Sequence, residues 1–376
     1  MKYRNASSLI LTLAMIGCGS ENRQIVGSSN GAGSGGRPPA EIDAEQVEQL
    51  VGAIDTQADP SYVYAFEGAK FVPPEGRTLL IMGQTLDGIA EHVASFPDQP
   101  VPGGWAAYWG IPSMAGVDST STGESGSTHN HQELVDRYPN TVLQSGLWMV
   151  GTWDVAKRTA AGEYDSVIRD FSAWAKAADR PIYLRIGYEF DGPHNELEPT
   201  DYVAAYRHIV DIMREEQVTN VAFVWHSYAS PPYQGYDISA WYPGDDYADW
   251  MAITMFSQAY NLQPGRYVDA VFEFAREKKK PVMIAESSPI GGIRPDGSAA
   301  WNSWFANLFS LAYERNVKAI TIINENWQRF NFPGTDWADA RLQNNPLVSA
   351  AFFAETNKDR YLKQSPELFD QLGYAP

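Results

Sequence analysis

Residues 181–192 read PIYLRIGYEFDG, and this stretch predicts both the fold of the chain and a candidate catalytic residue. Its first half is apolar and β-prone, as a buried strand of a parallel sheet should be. Glu189 then follows among bulky apolar neighbours, where an unpaired charge is costly. A carboxylate at the end of a buried strand therefore needs either a partner or a chemical use.

Seven further segments share this apolar, β-rich character, so that eight strands are predicted. They are residues 78–83, 105–109, 142–150, 181–187, 221–226, 250–256, 281–286 and 319–323. The amphipathic segments between them predict helices, which include residues 163–178, 200–216, 266–279 and 299–315. Strands that alternate with helices pair in parallel, and eight units over roughly 300 residues fit an α/β fold, the (β/α)8 TIM barrel. The alternative is an open doubly wound sheet, but no glycine-rich phosphate loop follows the first strand.

The first residues of the chain predict export and lipidation. Residues 1–17 combine a basic start with a short apolar run, as a signal peptide does. The sequence Met-Ile-Gly-Cys that ends at Cys18 resembles the lipobox of bacterial lipoproteins, in which the cysteine is lipidated. Cys18 is also the only cysteine, so an internal disulfide is excluded. We therefore expect a lipid anchor and a bacterial outer-membrane lipoprotein that faces the surface or the periplasm.

A flexible tether and one catalytic domain are expected after the lipidation site. Residues 18–40 are rich in Gly and Ser and have no capacity to form a core. The barrel is expected to occupy residues 41–376 as a single domain. Within it, we expect residues 41–76 to form a helix and a strand that close the bottom of the barrel.

Composition excludes some partners and favours others. The formal net charge is −18, and an acidic chain repels phosphate backbones, so no nucleic-acid partner is expected. The chain has 12 Trp, 20 Tyr and 16 Phe, more aromatic rings than a core requires. The excess favours a surface that stacks on flat ligands such as sugars. No cofactor motif is present, so no cofactor is expected.

Two glutamates lie where a barrel places its functional groups, at the C-terminal ends of the strands. Glu189 follows the fourth strand and Glu286 ends the seventh. Glycoside hydrolysis needs one carboxylic acid to protonate the leaving oxygen and one carboxylate to attack the anomeric carbon. A separation of roughly 5–5.5 Å predicts retention of configuration through a covalent intermediate. We expect burial and the neighbouring charge to raise the pKa of the acid.

An acid/base on strand four and a nucleophile on strand seven resemble clan A of the glycoside hydrolases. Arg185-Ile-Gly-Tyr-Glu189 is most similar to the Arg-x-x-His-Glu motif of family 26, with Tyr188 in place of the histidine. The resemblance implies that Glu189 is the acid/base and that Glu286 is the nucleophile. It also implies that Arg185 braces the site and that the ring of Trp327 lies beneath the sugar at the cleavage point. The strand-six tyrosine of the clan is replaced by Phe256, so a distinct family of the same clan is an alternative.

Other side chains near the strand ends are candidate substrate contacts. The candidates are Arg185, Tyr188, Asp191, His194, Trp109, His226 and Trp327, with Trp105, Trp148 and Trp153 as further aromatic candidates for the cleft. His129 and His131 have the spacing of metal ligands but lack a carboxylate partner. We predict that they lie in an exposed polar loop and that the chain has no metal site.

The predicted function is retaining hydrolysis of a β-linked polysaccharide of the mannan, xylan or β-glucan class, with endo action. Two alternatives remain. One is a clan relative that cleaves an algal or sulfated galactan of the agar or carrageenan type, with Arg158, Arg294 and Arg329 as candidate sulfate contacts. The other is a non-catalytic surface lipoprotein that captures glycans, which would need aromatic platforms but not two opposed carboxylates.

Overall fold

The strands form a closed parallel barrel. The computed structural model describes residues 42–123, 126–149, 154–192, 194–229, 236–256, 267–330 and 337–375. The barrel strands are β1 (Thr78–Gly83), β2 (Gly104–Gly110), β3 (Val142–Trp148), β4 (Ile182–Ile186), β5 (Val221–Ser227), β6 (Trp250–Met255), β7 (Val282–Ser287) and β8 (Ala319–Ile323). Each pairs in parallel with the next, and β8 closes the barrel by pairing with β1. The predicted TIM barrel is confirmed, and every predicted strand is present with its ends within two residues of the expected ones.

Helices surround the barrel and connect its strands. Their bounds are α1 (Ala44–Val51), α2 (Leu86–Ser95), α3 (His131–Arg137), α4 (Val155–Ala160), α5 (Asp165–Ala178), α6 (Pro199–Glu215), α7 (Tyr267–Glu277), α8 (Ala306–Glu314), α9 (Pro346–Thr356) and α10 (Leu368–Gln371). Short 3-10 turns lie at Pro60–Tyr62, Ile238–Trp241, Trp327–Arg329 and Leu342–Asn344, and a π turn at Trp301–Phe305 leads into α8. Short two-residue strands at Ser121–Thr122 and Thr128–His129 form a hairpin after β2, and another, Tyr361–Leu362, pairs with β1. None of the helices in the described part of the chain is long and apolar enough to cross a bilayer.

The segment before β1 closes the bottom of the barrel, but without the expected strand. Residues 42–76, all of them described, contain α1 and a 3-10 turn and no strand. Instead, the backbone at Phe71 is in the left-handed region with φ 57°, and its buried ring lies in the apolar cluster inside the barrel. The carbonyl groups of Lys70 and Phe71 accept hydrogen bonds from Trp250 Nε1 and Tyr183 Oη. Side chains at the start of β4 and β6 therefore hold this segment under the barrel.

Alternate side chains of each strand belong to two different apolar layers, one inside the barrel and one between the barrel and the helices. Odd and even positions of a strand face opposite sides of a sheet. Inside the barrel lie small and branched residues such as Ala106, Ala222 and Ala252, together with the bulkier Tyr183 and Trp250. The opposite faces of the same strands pack against the surrounding helices in a second, larger apolar cluster. The inward positions near the C-terminal ends of the strands are the ones that form the mouth.

The leader and the tether cannot be compared with the structure. Residues 1–17, Cys18 and the Gly/Ser-rich segment 18–40 lie outside the described residues. The predictions for them therefore stay predictions.

Candidate active site

The chain turns sharply where β4 ends, and this turn brings Glu189 into the mouth. Gly187 has φ 54° and Glu189 has φ 55°, both in the left-handed region that L side chains rarely adopt. A Cβ atom on Gly187 would lie 2.6 Å from Cε of Met149 and 3.0 Å from Cε2 of Tyr202, so the position also needs glycine for space. Strained backbone of this kind persists where the surrounding structure holds it, which is typical of functional sites.

A β-bulge turns Glu286 into the same mouth. Along β7, Met283 and Ala285 face the barrel interior, so regular alternation would point Glu286 outward toward the helices. The register against β6 shifts at this point, since Ile253 pairs with Ile284 whereas Thr254 pairs with Glu286. Ala285 is the extra residue, and the shift aligns Glu286 with an inward position of β6. Bulges often re-aim a side chain in this way next to an active site.

Arg185 forms a buried ion pair with Glu286. Its side chain is fully buried, that of Glu286 is 7% exposed, and Nη1 lies 2.5 Å from Oε1. Burial and the charge of Glu189 raise the pKa of Glu286, and the Arg185 guanidinium opposes that rise. The guanidinium therefore favours the ionised form of Glu286.

A hydrogen-bonded chain connects this ion pair to Glu189. Nη1 of Arg185 also lies 3.3 Å from Nδ1 of His226, whose Nε2 lies 3.0 Å from the hydroxyl oxygen of Thr254. The Thr254 hydroxyl donates to Oε1 of Glu189 over 2.5 Å. Burial and the Arg185 charge lower the pKa of His226 well below its ordinary value, so the ring is neutral. The two glutamates are thus the ends of one buried polar network.

His194 occupies the exposed side of Glu189. Its Nε2 lies 2.8 Å from Oε2 of Glu189, and its side chain is 48% exposed. Burial lowers the pKa of His194, but the hydrogen bond to Glu189 and the nearby carboxylates outweigh burial and raise it. His194, a candidate substrate contact, therefore lies against Glu189 at the exposed side of the site.

Two tyrosine rings sandwich the guanidinium of Arg185. Its Cζ lies 4.8 Å from the ring centroid of Tyr108 and 5.1 Å from that of Tyr188. Gly146 makes room for this arrangement, because a Cβ there would lie 2.6 Å from Cδ1 of Tyr108 and 2.8 Å from Nη2 of Arg185. Tyr188 therefore supports the ion pair with its ring, and Arg185 holds Glu286.

Three of the predicted substrate contacts serve the fold instead. Trp109 is 4% exposed, lies on the outward face of β2, stacks on Phe171 of α5 and donates to Ser145. His226 is fully buried with both ring nitrogens in use, so it cannot reach a sugar hydroxyl. Asp191 accepts hydrogen bonds from Ser227, the Tyr228 amide and Tyr236, and these bonds fix the loop after β5.

The aromatic candidates also separate into buried and accessible rings. Trp105 is fully buried behind β2, and Trp153 lies outside the described residues. Trp327 is 3% exposed, donates to Ser288 and lies among the rings of Phe256, Phe330 and Trp337. Its ring backs the mouth at the end of β8 and is covered by its aromatic neighbours. Trp148, at the inward-facing end of β3, is 43% exposed and is the only exposed tryptophan in the part of the chain that the structure describes.

The histidine pair after β2 is structural. His129 is 7% exposed and lies 3.2 Å from the Gln84 carbonyl oxygen through Nδ1, whereas His131 is fully buried and binds Ser145 through Nε2. The expectation of an exposed polar loop for these two residues is wrong, because both rings anchor the loop to the barrel. Within the described ranges, no group of three or more His, Cys, Asp and Glu side chains is placed to hold a metal ion.

Two further residues contact the groups at the mouth and were not predicted, although the sequence carries a signal for both. Thr254 is a hydroxyl in the otherwise apolar strand WMAITM, at the inward position two residues after Ala252. Tyr108 faces the barrel interior from β2, as Ala106 does, and its ring packs against the Arg185 guanidinium. Both can be recognised once it is known which alternate residues of each strand face the barrel interior.

This arrangement supplies the groups that glycoside hydrolysis requires. Glu286 is a carboxylate held by Arg185, and Glu189 is a carboxyl group beside an exposed histidine, both at one barrel mouth. The Glu189 charge acts on Glu286, so the two groups are near enough to interact. Such a pair can attack an anomeric centre from one side and protonate the leaving oxygen.

Comparison with known proteins gives relatives of one enzyme class. No protein-family model matches the chain. It is 29% identical over 357 residues to the β-1,3-xylanase TXYA of a Vibrio species, covering 88% of this chain and 75% of that protein. It is 28% identical over 338 residues to a β-1,3-xylanase of an Alcaligenes species, covering 83% and 70%.

Solved mannanases of glycoside hydrolase family 26 share the fold. One is a modular endo-β-1,4-mannanase from Cellulomonas fimi, with a TM-score of 0.53 and 16% identity, covering 88% of this chain and 78% of that one. The predicted resemblance to family 26 is therefore confirmed at the level of the fold. The relatives are glycoside hydrolases, as predicted from the paired glutamates.

Proposed function

We propose that this glycoside hydrolase is a retaining, endo-acting β-glycanase with Glu189 as acid/base and Glu286 as nucleophile. The observation that supports it most is the buried network at the barrel mouth, in which Arg185 pairs with Glu286 and Thr254 bonds to Glu189. A buried carboxylate at each end of one network is expensive to maintain without a function.

Arg185 holds Oε1 of Glu286 and Thr254 holds Oε1 of Glu189, whereas Oε2 of Glu189 lies against the half-exposed His194. Oε1 of Glu286 is bound by Arg185, so its other oxygen attacks the anomeric carbon. Glu189 gives its proton to the glycosidic oxygen as the bond to the leaving sugar breaks. Glu189 then takes a proton from water, and that water displaces Glu286 from the anomeric carbon with overall retention.

The proposed substrate is a β-linked polysaccharide of the mannan, xylan or β-glucan class. β-1,3-Xylan is the first candidate, because the relatives that match most of this chain are β-1,3-xylanases. Endo action is supported by the fold shared with an endo-β-1,4-mannanase. Trp148 offers an accessible ring at the mouth on which a sugar of the polymer can stack.

The proposal is tested by release of reducing ends from β-1,3-xylan, β-1,4-xylan, mannan, β-glucan, agar and carrageenan. Wild type, Glu189→Ala and Glu286→Ala are compared, with Glu196→Gln as a control in the exposed loop that follows Glu189. We expect wild-type activity in the control and loss in both alanine variants. Azide should restore turnover to Glu286→Ala and yield a glycosyl azide of inverted configuration, since a small anion takes the place of the carboxylate. Undiminished activity in either alanine variant would refute the assignment.

The two alternative functions lack a supporting observation in the described structure. Arg158 pairs with Glu163, and Arg329 lies 2.6 Å from Glu91, so neither guanidinium is available to a sulfate group without losing its carboxylate. Activity on agar or carrageenan alone would nonetheless establish the galactan alternative. Tight glycan binding without turnover, unaffected by Glu286→Gln, would establish the binding protein.

We further propose that Cys18 is lipidated and anchors the enzyme to the bacterial outer membrane, facing the surface or the periplasm. The support is the sequence around Cys18 and the Gly/Ser-rich segment that follows it. Labelling of growing cells with radioactive palmitate should mark the wild-type chain and leave Cys18→Ser unlabelled. Equal labelling of both chains would contradict lipidation at this residue.

A further inference from the structure

The direction of each hydrogen bond between Arg185 and Glu189 follows from the chemistry of its donor. An arginine guanidinium only donates, so Nδ1 of His226 must accept from Nη1. A neutral imidazole carries its single proton on the other nitrogen, so Nε2 donates to Thr254. The Thr254 oxygen accepts there, and its own hydrogen is directed to Oε1 of Glu189.

We propose that His226 and Thr254 are positioning residues that confine the catalytic proton of Glu189 to Oε2. Oε1 accepts from Thr254 and faces the interior of the barrel, where no proton can be exchanged with substrate. Oε2 points to the exposed side of the site, where His194 lies. This inference rests on the proposed role of Glu189 as acid/base.

His194 contacts the other oxygen of Glu189, Oε2. In the protein without substrate, one proton lies between Nε2 of His194 and Oε2 of Glu189, which are 2.8 Å apart. The ring of His194 is held edge-on by Tyr228 at a centroid distance of 5.1 Å but remains half exposed. The leaving oxygen of a bound polysaccharide needs this same position at Oε2. Substrate must therefore displace the histidine, and the proton passes from Oε2 to the glycosidic oxygen.

Arg185 fixes the direction of this series of hydrogen bonds, because both of its Nη1 hydrogens are used in it. One of them bonds to Glu286 and the other to His226. The same guanidinium therefore keeps the nucleophile ionised and sets the tautomer that orients the acid. Other ionisable groups face Glu189 as well, namely Tyr188 and Glu286 beside it and Asp191 on the far side of His194.

The test compares Thr254→Val, which removes the hydroxyl and keeps the shape, with Thr254→Ser, which keeps the hydroxyl. The hydrogen bond from Thr254 favours the ionised form of the acid. Thr254→Val should therefore lower kcat on the polysaccharide about tenfold and shift the alkaline limb of kcat/KM to higher pH, while the serine variant retains the wild-type profile. An unshifted alkaline limb in Thr254→Val would overturn the inference.

The tautomer of His226 provides a readout that does not need activity. Carbon and nitrogen chemical shifts of the imidazole should report a neutral ring with the proton on Nε2 between pH 5 and 8 (about the range in which a free histidine titrates). A proton on Nδ1, or a doubly protonated ring at pH 6, would refute the inference even if every Thr254 variant failed to fold. Failure here, with Glu189→Ala and Glu286→Ala both inactive, leaves the proposed function standing. Full activity in Glu189→Ala refutes the function instead.

Discussion

Replacing Arg185 with methionine leaves Glu286 buried without its cation. The guanidinium is fully buried and makes a 2.5 Å contact with the carboxylate. Loss of one partner from a buried ion pair costs about 3–5 kcal/mol, because the remaining charge is uncompensated. The lost contacts with the rings of Tyr108 and Tyr188 add about 0.5–2 kcal/mol each.

The pH dependence of this loss identifies its cause. Burial and the Glu189 charge already raise the pKa of Glu286 in the wild type, and removal of Arg185 raises it further. A carboxyl group whose folded-state pKa lies above its unfolded value destabilises the fold when it must ionise, above both values. The deficit of Arg185→Met should therefore grow as the pH rises through the folded-state pKa of Glu286 and shrink as the pH falls toward about 4.3, the ordinary glutamate value.

Urea unfolding at pH 5 and pH 7.5 measures this deficit, and the double variant Arg185→Met/Glu286→Gln completes the cycle. Replacing both partners removes the uncompensated charge, so the double variant should recover about 2–3 kcal/mol relative to Arg185→Met. A deficit that is equal at both pH values, or a double variant no more stable than Arg185→Met, would show that the ion pair does not hold Glu286 as described.

Three further predictions concern the turn, the mouth and the loop. Gly187→Ala should lower the free energy of unfolding by about 1–2 kcal/mol, because an alanine is strained in the left-handed backbone. It should also abolish most activity, because the turn that places Glu189 is displaced. Gly291→Ala, where a Cβ meets nothing within 4 Å, is the control in urea unfolding and in the reducing-end assay. Trp148→Ala should raise KM for the polymer about tenfold, or about 1.4 kcal/mol, and leave unfolding unchanged, whereas Val63→Ala, at another exposed apolar residue, should alter neither; an unchanged KM would exclude a sugar platform. Asp191→Ala should destabilise the protein by about 1.5–3 kcal/mol, because three hydrogen bonds to a half-buried carboxylate are lost; unchanged unfolding would show that the loop does not depend on it.

The strands and the two glutamates are visible in the sequence because both obey simple rules. Each barrel strand is a short apolar run, and carboxylates at the ends of strands four and seven stand out against it. The same rules misplaced Trp109 and His226, since the sequence shows a polar or aromatic residue near a strand end without showing which way it faces. Trp109 falls on the outward face and His226 falls one layer too deep to meet a sugar.

The bulge in β7 is a feature that strand periodicity could not predict. Regular alternation from Met283 points Glu286 away from the mouth, and only the register against β6 shows that Ala285 is the extra residue. Thr254 and Tyr108 were missed for a related reason. Which alternate residues of a strand face the interior is determined by the closed barrel, and one strand alone does not show it. The loop around Asp191 depends on partners 36–45 residues away, which sequence spacing does not reveal.

The configuration of the first product tests the central claim most directly. A digest of β-1,3-xylan, or of the panel polymer that the enzyme cleaves fastest, is followed by proton NMR before mutarotation is complete. Attack by Glu286 and release by water, both assisted by Glu189, predict that the β anomer of the new reducing end appears first. Initial release of the α anomer, or no product from any polymer of the panel, would contradict the proposed pair.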